Sequence, residues 1–575
     1  MVIARHGSVD GDRHAGSRPA VGLTAAIGVG LLALGLALWR LMPGVGFWDT
    51  AEFQMVGPVM GTAHPTGYPS YILVGWLASV LLTPIGEAAL RMNVLSAVLL
   101  AVAMAVTTDL GRRLTGSVIL GVVAGIGTTL TPIVWAIGTH ADPHALHVAF
   151  VALILWLLVR WEHRVRGNPI ESEHDAADGA ADGSAAGTDR LLLAAAVVTG
   201  LSVGNHSLTL LLGPPILLFV LATDPGILRR PRFIGANVLA FVIPTVLVRF
   251  EMVLRAGWLR APFVYADPST WTGFWYVTLG AQFHSWLTDP FGDAGGRLRG
   301  LVDIAAAQFG PVALLILVAA IVSGFRQPRY AILTGTAMVL TLFFNSVYPD
   351  GAIDRYYIGP ALIAWTWLAI LARTVVDVIL PATAWPGQGI GLRPAARWAA
   401  TGLVGLALLV PSASAFSTRA TLVDDSADVA AQVWTNQVLA SLEPNAVVVS
   451  WWSYSTPLWY AQVVDDRRPD VCIIDDRTRL DYDLGELDQV IARYLPARPV
   501  YLIRNGDSEL PALAGRYDVT PVGLPSAPNL LRVTAIASSD QVGRGTSPVL
   551  GRAPATGAPE PGTVADTPAL REDCP

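Results

Sequence analysis

For its first four hundred residues the chain alternates long apolar runs with short polar breaks. Runs near the 20 residues that carry a helix across a bilayer lie at 21–42, 92–110, 117–137, 145–161, 233–250, 309–325, 330–347, 357–380 and 398–416. The longer run 191–222 is interrupted by Gly204-Asn205-His206 and reads as two spans meeting at a turn. This gives about eleven predicted spans. The run 68–82 follows the breakers Pro65 and Gly67 and holds Pro69. It is short for a span and reads as a re-entrant or interfacial helix.

Arginine decides the orientation, because cytoplasmic loops collect positive charge. If 68–82 does not cross, Arg112/Arg113, Arg160/Arg164/Arg166, Arg229/Arg230/Arg232, Arg326/Arg329 and Arg393/Arg397 all lie inside with the arm 1–20. If it crosses, every cluster but the arm moves outside. The expected organisation is a cytoplasmic arm 1–20 and a membrane domain 21–416. That domain has a first outer loop at 43–90, a disordered inner linker at 162–190 and a Trp-rich outer loop at 252–305. A change of character follows near Ser417. The segment 428–442 reads as an amphipathic helix. The runs 446–450, 471–475 and 500–503 read as short buried strands, with helical patterns at 457–464 and 484–495. Alternating strands and helices predict a small α/β domain over 420–537 with a mainly parallel sheet. A disordered Gly/Pro/Ala/Thr tail is expected at 538–575.

Composition sharpens this picture. Only 14% of residues are charged against 53% hydrophobic, with a mean hydropathy of +0.50. Soluble globular chains carry roughly 25% charged residues. An ordinary cytosolic enzyme and a disordered or nucleic-acid-binding protein are excluded; the net charge of −6 leaves no basic surface for nucleic acid. All 38 basic residues are Arg. Without Lys there is neither a Schiff-base lysine nor a Walker-type phosphate loop. The two cysteines, Cys472 and Cys574, are far apart. They make no disulfide framework and no zinc site.

Four polar turns interrupt the apolar pattern, and the eleven-span topology puts all of them outside. In the first, Asp49 and Glu52 are three residues apart, which puts both carboxylates on one helix face. They suit a general base and its orienting partner; equally, Asp49 could be an N-cap with Glu52 at N3. The second turn holds His140, Asp142, His144 and His147. Pro143 breaks the helical spacing a metal site would use, so a polar active-site rim or a capped helix start competes with a metal reading. In the third, His206 sits at the break of a span, where an ionisable residue is a functional candidate or is satisfied by the broken helix. In the fourth, Arg355 beside Tyr356 and Tyr357 suits a phosphate or an interfacial anchor.

At these residues the chain resembles the GT-C superfamily of membrane glycosyltransferases. Within it, the resemblance is to the bacterial family related to the vertebrate transmembrane protein O-mannosyltransferase. The family's first-loop pattern corresponds to Asp49, Glu52, Phe53, His64, Pro65, Gly67, Tyr68 and Pro69. Its Gly-Asn-His corresponds to 204–206, its Asp-Arg-aromatic turn to 354–357, and its outer-domain pattern to 457–460 and 468–471. The second turn departs, offering Asp142 and His144 where the family has Glu and Tyr. The stretch 451–456 also departs, replacing a Gly-Asp-Asn-Asp-like segment.

The resemblance implies a polytopic α-helical membrane protein with a C-terminal extracytoplasmic α/β domain, multi-pass in the cell membrane. It implies inverting transfer of a sugar, mannose favoured, from a polyprenyl-phosphate donor to a protein or glycan hydroxyl. Membrane lipids are the other partners, and no cofactor or metal is expected. Asp49 and Glu52 are then the catalytic pair. Arg355, Tyr356, His206, Asn205 and His64 hold the donor and its phosphate; Tyr68, Asp142 and His144 form the acceptor rim. Burial of Asp49 against Trp48 and Phe53 is expected to raise its basicity. The competing class is a transporter or flippase, which also uses broken spans, but the two halves show no internal repeat.

Overall fold

The computed structural model describes residues 18–167, 185–289, 292–348, 353–380, 392–476, 479, 483–505 and 509–536. The tail 538–575 lies outside these residues, as does most of the arm and of the inner linker.

Among the described residues nine helices are long and apolar enough to cross a membrane. They are Ala20–Trp39, Ala88–Thr115, Pro143–Val165, Gly187–Asn205, Pro231–Gly257, Ala294–Arg326, Pro328–Val347, Ile353–Ile379 and Pro394–Ser414. The two remaining predicted spans hold shorter apolar helices. Val118–Thr129 ends where Pro132 opens a new helix, so the run 117–137 is divided. Past His206 the chain makes the 3₁₀ turn Ser207–Leu212 before Gly213–Thr223, with two prolines in its first turn. The run 68–82 forms Pro69–Leu81. Its 13 residues reach roughly 20 Å at 1.5 Å per residue, well short of a hydrocarbon core of about 30 Å.

Ala88–Thr115 is the hub, packing against the first helix, Val118–Thr129 and Pro143–Val165. Close approach at one crossing depends on Gly121. A Cβ there would sit 2.5 Å from the Thr108 carbonyl oxygen. Apolar helices in lipid associate through such small-residue contacts, because burial alone favours no partner.

The C-terminal part forms one five-stranded sheet: β1 Val447–Ser450, β2 Cys472–Asp475, β3 Val500–Ile503, β4 Tyr517–Pro521 and β5 Leu530–Ala535, in the order β2-β1-β3-β5-β4. β1 pairs in parallel with β2 and β3, while β5 runs antiparallel to both β3 and β4. The three expected strands are buried at every position. That largely apolar pattern made them readable. β4 and β5 are half exposed and carry Asp518, Pro521 and Arg532, so their sequences do not form apolar runs. Cys472 is disulfide-bonded, which corrects the expectation of no disulfide framework. The chain's other cysteine, Cys574, is outside the described residues.

The sheet domain is seated on the helical domain through the helix Trp452–Val463, which packs on Trp48–Val56. The Ala89 N–H donates to the Tyr460 hydroxyl at 3.0 Å, and the Thr456 hydroxyl donates to the Trp48 carbonyl at 2.8 Å. Phe47 enters an aromatic cluster with Trp434 and Tyr454. The segment 451–456, which stands in place of the family's polar stretch, thus carries contacts between the two parts. In the Trp-rich loop, Trp258 and Trp271 are 85% and 78% exposed, as suits the interfacial region of a bilayer.

Candidate active-site cavity

The helix Trp48–Val56 starts from Phe47, not from Asp49. Asp49 lies inside the first turn, and no side chain caps the helix. The capping reading therefore fails, since Asp49 does not hold the helix start. Glu52 is fully buried. Its Oε1 accepts the His64 backbone N–H at 2.7 Å, and its Oε2 pairs with His64 Nδ1. Asp49 keeps a quarter of its side chain exposed. Its Oδ1 accepts from Trp452 Nε1 at 2.8 Å, and its Oδ2 from Arg355 Nη1 at 3.1 Å.

The loop from His64 to Pro69 is held from behind. Buried Arg249 donates to the Thr66 carbonyl at 2.5 Å and to the Val203 carbonyl at 3.0 Å. Gly67 has φ +81°, and a Cβ there would lie 2.8 Å from Met252 and Val277. Both backbone conformation and space demand glycine at this turn.

The electrostatics of the three groups are coupled. Burial pushes the Glu52 carboxyl up, and the His64 charge offsets only part of that. Burial pulls His64 down, but the Glu52 and Asp49 carboxylates outweigh it and raise His64 from 6.5 to about 9. Burial also pushes Asp49 up. There His64, Arg355 and the Trp452 hydrogen bond win, and hold Asp49 below the ordinary carboxylate range. This reverses the expectation of a more basic Asp49: neighbouring donors, not apolar burial, set its proton affinity. Trp48, expected to bury it, is 55% exposed.

His64 yields a pH prediction. Its raised value means that the charged form is fully present below about 6.5 and is lost as pH rises through about 9. Affinity for an anionic ligand should hold from neutral pH and fall through pH 9. His64→Gln should remove that alkaline limb. A limb unchanged in the variant would take His64 out of anion binding.

A cavity of about 1210 Å³ opens onto this cluster. Asp49, His64, Tyr68, His144, His206, Arg355, Tyr356 and Trp452 line it, with Leu208, Leu211, Leu279, Leu287 and Phe344 supplying apolar surface. Three expected site residues do not line it. Glu52 lies beneath His64. Asn205 donates to the Pro143 carbonyl at 3.0 Å, tying the His206 turn to the start of the helix Pro143–Val165. Asp142 is buried behind His144, its Oδ1 accepting both His144 Nδ1 and the His144 backbone N–H at 2.7 Å. His140 turns away to Asp425 at 2.9 Å. Asp49, Glu52 and His64 bring ligand atoms within 4.8 Å of one another, a grouping able to hold a metal ion. All four carboxylate oxygens there already accept protein donors.

Trp452 is the functional residue the sequence did not disclose; it reaches Asp49 from 403 positions away. Trp452→Phe keeps the ring and removes the N–H. Hydrogen bonds to charged groups contribute about 1.5–3 kcal/mol, so turnover should fall about tenfold or more. Because this bond lowers the Asp49 pKa, the acid limb of the rate profile should move to higher pH. An unmoved acid limb would reduce Trp452 to packing.

Residues 49–226 match the family described as the Protein O-mannosyl-transferase TMEM260 N-terminal domain. Mouse Protein O-mannosyl-transferase TMEM260 is 27% identical over 292 residues, which is 50% of this chain and 36% of the mouse protein. The chain thus spans about a third of the length of that relative. ArnT from Cupriavidus metallidurans bound to undecaprenyl phosphate superposes with a TM-score of 0.55 at 14% identity, covering 91% of this chain and 98% of that chain. The Archaeoglobus fulgidus oligosaccharyltransferase in complex with Zn and sulfate gives a TM-score of 0.51 at 12% identity, covering 83% of this chain and 67% of that chain. The chain shares its fold with both of these structures, and the first-loop motif lies within the matched segment 49–226.

Proposed function

We propose that the chain is an inverting glycosyltransferase that moves a sugar, with mannose favoured, from a polyprenyl-phosphate donor to a hydroxyl of a protein Ser or Thr. The reading puts the cavity on the outer face of the cell membrane and the N-terminus in the cytoplasm, following the Arg distribution. One observation carries it. A single cavity joins a carboxylate, a guanidinium and an imidazolium to a leucine-rich lining, the chemistry that a phosphate on a long apolar chain requires. The family match and the shared fold support the same reaction class.

The reaction follows from the charges. Outside the cell no nucleotide sugar is at hand, so the donor comes through the membrane. Its phosphate leaves readily and needs no general acid. Arg355 and the His64 imidazolium stabilise the phosphate's negative charge as the sugar C–O bond breaks. Asp49 accepts the acceptor hydroxyl's proton while that oxygen attacks the anomeric carbon from the opposite face. The Asp49–Arg355 pair gives the order of events. A bound phosphate competes for the guanidinium, weakening the contact that lowers Asp49, so the carboxylate gains basicity once the donor is in place. The sheet domain completes the site through Trp452.

A polyprenyl phosphate with a photoreactive group in its tail tests the occupant. Crosslinks should fall on the cavity-lining segments 208–211 and 279–287, and free polyprenyl phosphate should compete them away. Labelling confined to other helices, without competition, would remove the lipid donor from the cavity.

A further inference from the structure

We propose that His144 and His206 together read one hydroxyl of the transferred sugar, and so set which sugar the cavity accepts. This rests on reading the cavity as a lipid-linked sugar site, and it adds the residues that choose the sugar.

The bonds at Nδ1 set complementary tautomers for the two neutral rings. Asp142 Oδ1 accepts from His144 Nδ1 at 2.7 Å, which puts the proton of the neutral ring on Nδ1 and leaves Nε2 with a lone pair. That Nε2 is buried and has no hydrogen-bond partner among the described residues, on a residue 3% exposed that lines the cavity. A buried polar atom without a partner is rare in folded proteins and calls for a ligand. His206 is fixed the other way. Its Nδ1 accepts the Leu208 backbone N–H at 3.1 Å, so the neutral ring carries its proton on Nε2 and donates from there. One ring accepts and the other donates.

The rings are neighbours. Their centroids lie 5.3 Å apart, and each lies 5.5 Å from the Tyr356 ring. The Asn205 bond to the Pro143 carbonyl joins the two turns that carry them. A hydroxyl both donates and accepts, so one hydroxyl satisfies both nitrogens. A phosphate oxygen only accepts and would oppose the His144 lone pair; an alkyl carbon would leave both nitrogens unpaired. Tyr68 stands between this pair and the phosphate end, 5.5 Å from His206 and 5.4 Å from His64. That offset of one ring suits a hydroxyl on the side of the sugar away from the breaking bond. His147 makes no part of the pair, since it does not line the cavity.

The test uses polyprenyl-phosphate hexoses lacking one hydroxyl at a time, with kcat/KM measured for each on full-length protein. A site built around a hydroxyl rejects the analogue without it. Wild type should therefore discriminate against one deoxy donor by about 10- to 100-fold. His144→Phe and His206→Phe keep an aromatic ring against Tyr356. Each should shrink that ratio to within about threefold, chiefly by slowing the parent donor. The ratio is taken within one preparation, so it does not depend on the fraction of variant that folds. Discrimination that survives both substitutions overturns the proposal, as does a wild type that treats all deoxy donors alike. If His144 were instead a general base, its loss would slow every donor equally and leave the ratio intact, which also overturns it. Wild type that transfers from no polyprenyl-phosphate hexose fails the underlying reading instead.

Discussion

Asp49→Asn should lower sugar transfer by about 10²-fold or more, the usual scale of a general-base contribution. The substitution is close to isosteric. An amide oxygen can still accept from Trp452 or from Arg355, so the cavity wall should keep its shape. The lost ion pair is partly solvated, with side chains 30% and 25% exposed. Such pairs contribute about 0–1 kcal/mol to stability. The variant should therefore fold and still bind donor, while the proton-accepting charge is gone. Turnover and donor affinity must be read separately. A fall in turnover with donor affinity held is the expected signature; full activity would remove Asp49 from the chemistry.

Arg355→Ala should show the opposite division. In the proposed reading the guanidinium is the cation that meets the donor phosphate, and a charge-assisted contact of this kind contributes about 1.5–3 kcal/mol. Donor affinity should fall by roughly 10- to 100-fold, at about 1.4 kcal/mol per factor of ten. A second effect follows from the pair. Arg355 is among the groups that hold Asp49 low, so its loss should move the acid limb of turnover to higher pH. Binding of a polyprenyl phosphate measured directly, beside a rate profile, separates the two. Unchanged affinity with a depressed rate would make Arg355 a partner of Asp49 alone.

Much of this architecture was legible because membrane folding leaves a simple record. Apolar length located the helices, and the Gly204-Asn205-His206 interruption marked the broken one. The strands β1, β2 and β3 were readable because both their faces are covered. β4 and β5 were not, because half-exposed strands carry charge and proline that mimic a loop. The first-loop residues were legible as a motif, since Asp49, Glu52 and His64 share one short segment. Glu52's role was less so: nothing in the spacing says that its carboxylate would hold His64 while Asp49 faces the cavity. Trp452 could not be read at all. Its contact with Asp49 spans 403 positions and exists only because one helix seats the sheet domain on the membrane domain. The low proton affinity of Asp49 was hidden for the same reason, being set by His64, Arg355 and Trp452 from three separate segments.

The most direct measurement is transfer by the purified full-length protein from a synthetic polyprenyl-phosphate mannose to a Ser/Thr peptide, with the anomeric configuration of the product read by NMR. The account predicts a glycosylated hydroxyl of inverted configuration, lost in Asp49→Asn. Absence of transfer from every polyprenyl-phosphate sugar, alongside uptake of a solute by vesicles containing the protein, would contradict it and hand the cavity to transport.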